Sequence, residues 1–127
     1  MRILIVDDNE DSRDITEAAL LSGGYSDICV ADSASEAFRL MDIGLPSGND
    51  GPPVDIVLLD VVMPEVDGIK ACARIRSDTR YSDTPIIMVT SVDDIDTPSL
   101  AFAAGANDYI TKPVNREELL GCVLLAL

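Results

Sequence analysis

An unbroken run of apolar residues at positions 56–59 leads directly into Asp60, and a similar run spans positions 85–89. A strand with one face in water alternates apolar and polar residues, so a run without alternation is typical of a strand buried on both faces. Such strands occur mainly in parallel sheets that helices cover on both sides. We therefore expect an α/β domain with a parallel sheet as its central layer.

Shorter apolar runs and helical patterns fill the rest of the chain. Strands are also predicted at residues 2–6, 28–30 and 108–110, and helices at residues 12–22, 33–41, 68–77, 97–105 and from 115 onward. The first helix is predicted to end at Gly23-Gly24 and to face inward with Ile15, Ala18, Ala19 and Leu20. Five strands alternating with five helices favour a flavodoxin-like doubly wound sheet with strand order 2-1-3-4-5.

Residues 44–53 give the clearest loop signal in the chain. Three Pro and three Gly in these ten positions can sustain neither a helix nor a strand ladder. The segment is long for a connection in a compact domain. We expect a solvent-facing insertion, and a contact with a specific partner stays open as an alternative.

The charge balance narrows the possible function classes. The 127 residues include 23 acidic and 9 basic ones, a formal net charge of −14, whereas polyanion binding requires clustered Lys and Arg. Direct nucleic-acid binding by this segment is therefore not expected. Because the chain has no His and no CxxC pair, zinc sites, Ser-His-Asp triads and Cys-His nucleophiles are excluded.

Cysteine use and hydropathy bear on location. Cys29, Cys72 and Cys122 are odd in number and lie within apolar runs, which is typical of buried free thiols in a reducing compartment. No apolar run approaches the ~20 residues of a membrane span, and the N-terminus lacks a signal-peptide pattern. We expect one cytoplasmic domain that does not enter a membrane.

Polar side chains follow four of the predicted strands, at the point where each strand ends. They are Asp7 and Asp8 after the first strand, Asp60 after the third, Thr90 and Ser91 after the fourth, and Lys112 after the fifth. The carboxyl ends of parallel strands meet at one edge of a sheet, where ligands bind in doubly wound folds. We expect these side chains to lie close together.

Three converging carboxylates require a cation, because like charges at short range raise one another's pKa. An all-oxygen ligand set that leaves room for water and a phosphate oxygen favours Mg²⁺. Lys112 would then supply a second positive charge for a transferring phosphoryl group, and Asp60 would be its nucleophile.

Four motifs in order resemble the response-regulator receiver family, the CheY-like domains of two-component signalling. They are Ile-Leu-Ile-Val-Asp7-Asp8, Asp60-Val-Val-Met-Pro64-Glu-Val-Asp-Gly68, Met-Val-Thr90-Ser91 and Ala104-Gly-Ala-Asn-Asp-Tyr109-Ile-Thr-Lys112-Pro113. The resemblance covers essentially the whole chain and implies a single receiver domain at residues 1–127.

The resemblance also implies a role for each site residue. Asp60 would be the phosphoacceptor. Mg²⁺ would be bound by Asp8, Asp60 and the main-chain carbonyl of Val62, with Asp7 acting largely through coordinated water. Lys112 would contact the phosphoryl oxygens, aimed by a cis bond before Pro113. Thr90 and Ser91 would lie at the switch, and Tyr109 would turn inward into the space that Thr90 vacates on phosphorylation.

The same resemblance implies the partners. The phosphoryl donor would be a sensor histidine kinase, a phosphotransfer protein of a phosphorelay or a small phosphodonor, and the output face would combine the fourth helix, fifth strand and fifth helix. Such a domain assists its own phosphorylation and dephosphorylation and is not an enzyme. The apolar end of the chain suggests the N-terminal part of a longer response regulator with a C-terminal effector domain. A phosphorylation-dependent homodimer is a further possibility.

Two features depart from the family pattern. Val62 and Val92 stand two residues after Asp60 and Thr90, at positions that are often polar in this family. We expect that no side chain there orients a hydrolytic water, so that steric access sets the lifetime of phospho-Asp60. Equal decay rates in the wild type and Val62→Asn would contradict this expectation.

Two other function classes stay open. A haloacid-dehalogenase-like phosphatase also forms an aspartyl-phosphate, but Val62 stands where such enzymes carry an Asp as general acid, and 127 residues leave no room for a cap domain. A pseudo-receiver would keep the fold as an interaction module without phosphorylation. Turnover of small phosphate esters would favour the first, and failure to bind beryllofluoride with Mg²⁺ would favour the second.

Overall fold

The computed structural model describes residues 1–41, 43, 53–61, 67–91 and 97–126. Within these ranges the chain forms a five-stranded parallel sheet with strand order β2-β1-β3-β4-β5, which confirms the predicted fold. The strands are β1 Ile3–Val6, β2 Ile28–Ala31, β3 Ile56–Asp60, β4 Ile86–Ser91 and β5 Asp108–Lys112. The helices are α1 Glu10–Ser22, α2 Ala34–Met41, α3 Gly68–Arg76, α4 Thr97–Ala103 and α5 Arg116–Ala126. A short 3-10 turn, Thr79–Tyr81, follows α3.

Both faces of the sheet are buried, as the unbroken apolar runs predict. Alternate residues of each strand pack against opposite helical layers. Ile3, Ile5, Ile56 and Leu58 pack with Leu20 of α1 and Leu119 of α5, whereas Leu4, Val6, Val57 and Leu59 pack with Met41 of α2 and Ile75 of α3. Burying each aliphatic side chain of this size contributes about 1.5–3 kcal/mol relative to leaving it exposed. The fold is therefore stabilised mainly by two apolar layers on either side of one sheet.

The strand register brings polar side chains together at one edge of the sheet. Val6 of β1 pairs with Leu59 of β3, so the next residues, Asp7 and Asp60, lie side by side. Asp60 in turn pairs with Val89 of β4. The carboxyl ends of these strands thus bring together residues that are far apart in the chain.

Helix α1 begins two residues before the predicted start at residue 12. Asn9 caps it, because the side-chain oxygen of Asn9 accepts a hydrogen bond from the main-chain N–H of Ser12 at 2.9 Å. Two acidic residues, Glu10 and Asp11, then occupy the first turn, where the helix dipole favours negative charge.

The inward face of α1 also differs in part from the prediction. Ala19 and Leu20 are buried as expected, but Ala18 is exposed and the Ile15 side chain is 55% exposed. Thr16 takes the inner position instead and is buried. Its hydroxyl donates to the main-chain oxygen of Ser12 at 3.0 Å, so this polar group is hydrogen-bonded within the core. At the other end, Gly24 adopts a φ of +93°, which supports the predicted stop of the helix.

The described part of the chain contains no helix that is both long and apolar enough to cross a membrane. The three cysteines are free. Burial raises the pKa of the Cys72 thiol above its ordinary value, as it does for Cys29. Residues 44–52 of the predicted loop lie outside the described residues.

Candidate functional site

Three carboxylates converge at the carboxyl ends of β1 and β3. Oxygens of Asp7, Asp8 and Asp60 all lie within 4.8 Å of one another. Asp7 and Asp60 are each only 4% exposed, while Asp8 is exposed. The structure therefore places the three predicted metal-ligating carboxylates in one cluster with an opening to solvent on the Asp8 side.

Lys112 reaches this cluster from the end of β5. Its Nζ lies 3.1 Å from Oδ2 of Asp60 and 3.2 Å from Oδ2 of Asp7. One ammonium thus bridges two buried carboxylates. The peptide bond between Lys112 and Pro113 is cis.

The charges in this cluster are out of balance. Burial and the neighbouring charge of Asp7 raise the pKa of Asp60 from 3.8 to about 6, although Lys112 acts in the opposite direction. Burial tends to lower the pKa of Lys112, but hydrogen bonds and charge from Asp60 and Asp7 outweigh it, so the Lys112 pKa is raised. One lysine therefore does not compensate the buried carboxylates fully, and a further cation would be stabilised here.

The turn between β1 and α1 is held by several hydrogen bonds. The main-chain N–H of Asp7 donates to the carbonyl of Ala31 at 3.1 Å, and that of Asn9 donates to Oδ1 of Asp7 at 2.9 Å. Nη1 of Arg13 donates to the main-chain oxygen of Asp7 at 2.8 Å. Sequence reasoning missed both Asn9 and Arg13. A helix-capping pattern could have found Asn9, whereas Arg13 acts across six residues with no local signal.

A glycine lets α3 approach the carboxyl end of β3. The N–H of Gly68 donates to the carbonyl of Val61 at 2.8 Å, and a Cβ at this position would overlap the main-chain carbonyl of Asp60. Asp67 caps the helix by accepting from the N–H of Lys70 at 2.9 Å. Close packing of Gly68 therefore fixes the start of α3 against the end of β3.

The predicted switch residues lie on β4 and β5. Thr90 is 2% exposed and follows Val89, the register partner of Asp60. The ring of Tyr109 is 38% exposed and packs edge-on against Phe102 of α4, with ring centroids 5.8 Å apart. Tyr109 is thus at the surface here. Val62, Val92 and the side chain of Ser91 lie outside the described residues.

The cluster fits a hard divalent cation. Its donors are carboxylate oxygens from three residues, and one of them faces solvent, which leaves room for water and a further oxygen ligand. Three carboxylates meet one ammonium in this cluster, so negative charge is in excess when they are ionised. Oxygen donors of this kind and number suit Mg²⁺.

These features define a doubly wound α/β domain with an acidic site at the carboxyl edge of its sheet. The sequence profile of the family described as "Response regulator receiver domain" matches residues 3–124. The chain therefore belongs to the response regulator receiver domain family. Domains of this family serve two-component systems, are not classical enzymes and typically bind Mg²⁺ at their acidic residues.

Relatives in sequence agree with this assignment. The DNA-binding dual master transcriptional regulator RpaA of Synechocystis is 33% identical over 122 residues, which are 96% of this chain and 47% of RpaA. The response regulator MprA of Mycolicibacterium vanbaalenii is 38% identical over 120 residues, which are 94% of this chain and 47% of MprA. This chain thus spans about half the length of these relatives.

Solved structures give the same fold. A putative response regulator from Chloroflexus aurantiacus superposes with a TM-score of 0.86 at 34% identity, covering 98% of this chain and 95% of that one. The chemotaxis response regulator CheY4 of Vibrio cholerae superposes with a TM-score of 0.85 at 27% identity, covering 99% of this chain and 98% of CheY4.

Proposed function

We propose that this domain accepts a phosphoryl group on Asp60 from a phosphohistidine of a sensor histidine kinase or phosphotransfer protein. The observation that carries the proposal is the convergence of Asp7, Asp8 and Asp60 with Lys112 at one edge of the sheet. Each of these residue types is common after a strand. Their joint placement around one carboxylate is what phosphoryl transfer to an aspartate requires.

In the proposed step, an oxygen of the Asp60 carboxylate attacks phosphorus and forms a P–O bond. The P–N bond to the donor imidazole breaks, and its electron pair returns to the ring nitrogen. The product is an acyl phosphate on Asp60. Hydrogen-bond donors that stabilise the negative charge on the equatorial phosphoryl oxygens lower the barrier of such a step. Lys112 is placed to do so, because its Nζ lies 3.1 Å from Oδ2 of Asp60.

Mg²⁺ would be held by the carboxylates of Asp8 and Asp60 and by the carbonyl of Val62 that the family pattern implies, with Asp7 acting largely through coordinated water. When bound, it would supply charge that the phosphoryl oxygens and the clustered carboxylates share. The protein's own contribution is to hold three carboxylates and one amine in place before the donor arrives. Ionisation of Asp60 matters as well, because only the carboxylate is a nucleophile.

Phosphorylation would be read out through Thr90 and Tyr109. A phosphoryl group adds about −1.5 to −2 charge and three strong acceptors, which Thr90 could meet with its hydroxyl. The burial of Thr90 beside the site supports this role. If Thr90 moves toward the phosphoryl group, the exposed ring of Tyr109 gains space to turn inward, and the packing of Phe102 on that ring then carries the change to α4.

The whole protein would couple this domain to others. RpaA is named as a DNA-binding transcriptional regulator. We propose that this protein carries a C-terminal effector domain and acts in the cytoplasm. Dimerisation on phosphorylation is one route by which the α4–β5–α5 face could control it.

The test is phosphorylation with acetyl phosphate in the presence of Mg²⁺, followed by mass spectrometry. Wild type is expected to gain the mass of one phosphoryl group, and Asp60→Asn none. The exposed aspartate Asp83 gives a matched control, since Asp83→Asn removes the same charge away from the site and should behave like wild type. Modification of Asp60→Asn would contradict the assignment of the acceptor, and an unmodified wild type that also fails to bind beryllofluoride would favour a pseudo-receiver.

A further inference from the structure

Arg13, at the end of the first turn of α1, reaches back to the turn that carries the acidic residues. Its side chain is half-buried, and Nη1 donates to the main-chain oxygen of Asp7 at 2.8 Å. This oxygen belongs to the peptide group that joins Asp7 to Asp8. The hydrogen bond therefore restrains the orientation of that peptide group.

Asp8 depends on this restraint more than its neighbours do. Asp7 is buried and its carboxylate accepts from the N–H of Asn9, while Asn9 is held as the cap of α1. The Asp8 side chain is exposed, yet its carboxylate lies within 4.8 Å of those of Asp7 and Asp60. Its position is thus set mainly by the main chain that carries it.

We propose that Arg13 is a positioning residue for the divalent-ion site, acting on Asp8 through the Asp7–Asp8 peptide. The inference rests on the proposed function in taking the acidic cluster to be the ion site. Without the guanidinium, the Asp7–Asp8 peptide gains rotational freedom, and the Asp8 carboxylate must be ordered at each binding event. The affinity for the ion should therefore fall, since residues that orient the metal ligands by hydrogen bonding typically contribute 10- to 100-fold to metal affinity.

The chemistry of arginine suits this position. A guanidinium remains charged throughout the physiological range and presents a planar fork of donors, so that one donor can hold a carbonyl while the group stays rigid. Arg13 also lines an open groove of about 380 Å³ with Asp32 and Glu36. The two carboxylates add negative potential around Arg13, and that of Glu36 is also paired with Arg39.

The experiment is calorimetric titration with Mg²⁺ alone, on wild type, Arg13→Ala, Arg13→Gln and Arg13→Lys. The alanine and glutamine variants are expected to bind Mg²⁺ about tenfold or more weakly. Lysine keeps the charge and a donor, so its loss should be smaller. Arg74→Ala is the matched control, because it removes the same charge from an exposed site on α3 and should bind within about twofold of wild type.

Several results would overturn the proposal. Arg13→Ala binding Mg²⁺ within about twofold of wild type would show that the contact does not position the ion site. An equal loss in Arg74→Ala would reduce the effect to net charge. Urea unfolding without Mg²⁺ checks the fold, and if the alanine variant does not fold, the glutamine and lysine variants decide.

Acetyl phosphate separates this inference from the proposed function. At saturating Mg²⁺, Arg13→Gln should reach the wild-type extent of phosphorylation, because the positioning role acts through ion binding. A deficit that persists at saturating Mg²⁺ would overturn the positioning role. If the wild type itself accepts no phosphoryl group, the proposed function is wrong. The Mg²⁺ titration still tests whether Arg13 positions the ion site.

Discussion

The two ends of the sheet differ in how their charged side chains are paired. At the carboxyl ends of the strands lies the acidic edge, formed by Asp7, Asp8, Asp60 and Lys112, where one ammonium meets two buried carboxylates. At the amino ends of β4 and β5 lies the arginine edge, centred on Arg76 of α3.

Among the described residues, the three side-chain hydrogen bonds of Arg76 all go to neutral acceptors. The Arg76 guanidinium donates to the carbonyl of Gly105 at 2.9 Å, to the carbonyl of Tyr81 at 2.9 Å and to Oδ1 of Asn107 at 2.5 Å. Asn107 in turn pairs with the backbone of Ile86 through both its N–H and its Oδ1, at 2.8 and 2.9 Å. These bonds tie α3, the 3-10 turn and the entry to β5 together.

The difference shows which edge stabilises the fold and which is kept reactive. Charge-assisted hydrogen bonds to neutral acceptors are among the stronger stabilising contacts. Like charges held together under burial destabilise the folded state, and perturbed ionisation of this kind clusters at functional sites. We therefore expect removal of the Arg76 charge and removal of the Asp60 charge to change the stability of the ion-free protein with opposite signs.

The largest effect should come from Arg76→Ala, at the arginine edge. It removes three hydrogen bonds and leaves their acceptors without the guanidinium, so the free energy of unfolding should fall by about 2–4 kcal/mol. Urea unfolding measures this change. Arg74→Ala, two residues earlier and exposed, should change stability by less than about 0.5 kcal/mol. A small effect at Arg76 would break the contrast between the edges.

At the acidic edge, Asp60→Asn should stabilise the ion-free protein at pH 7. The Asp60 pKa is about 6 in the folded chain against an ordinary 3.8, so the folded state holds this proton more tightly than the unfolded state. Stability from this group is therefore present below pH 4 and is lost as the pH rises through 6. Since one pH unit in pKa is worth about 1.4 kcal/mol, the variant should gain on the order of 2–3 kcal/mol at pH 7.

The measurement is urea unfolding of both proteins without divalent ions, from pH 4 to pH 8. The difference between them isolates Asp60 from the general repulsion of a chain with net charge −14. It should be smallest at pH 4 and grow up to pH 7. A difference that shrinks as the pH rises would reverse the sign and show that Lys112 compensates Asp60 fully.

Lys112→Met should have a smaller effect in the opposite direction. It removes the cation between Asp60 and Asp7, so the pKa of Asp60 should rise further and ion-free stability at pH 7 should fall. Because the Lys112 side chain is 29% exposed, we expect about 1–2 kcal/mol rather than the value of a fully buried pair. Lys70→Met, at an exposed position on α3, is the control, and carboxyl NMR of Asp60 follows its titration.

Most of the correct predictions came from the pattern of apolar residues and from the residues that follow each strand. Unbroken apolar runs identify buried parallel strands, and because their carboxyl ends must share an edge, the approach of Asp7, Asp8, Asp60 and Lys112 follows from topology. The hydrogen bonds of Arg13 and Arg76 do not follow in this way. A long side chain can hydrogen-bond to carbonyl groups that are distant in the sequence, and neither periodicity nor a local motif predicts which of them it contacts.

The first helix shows a second limit. Hydrophobicity alone predicts Ile15 in the core, but Thr16 is buried there with its hydroxyl hydrogen-bonded to the main-chain oxygen of Ser12. A moderately polar residue whose hydrogen bond is made within the helix carries little penalty for burial, so apolar character alone does not determine which face turns inward.

The smallest effect should therefore come from Ile15→Ser. Ile15 lies beside Lys112 and Val114 on an open groove of about 430 Å³ next to the acidic edge. Because it is 55% exposed, its replacement should change the free energy of unfolding by less than about 0.5 kcal/mol. Leu20→Ala, on the same helix but fully buried, should cost about 2–5 kcal/mol in the same urea experiment. A loss at Ile15 approaching that at Leu20 would mean that apolar packing on α1 also holds the acidic edge, and electrostatics would no longer be what distinguishes the two ends of the sheet.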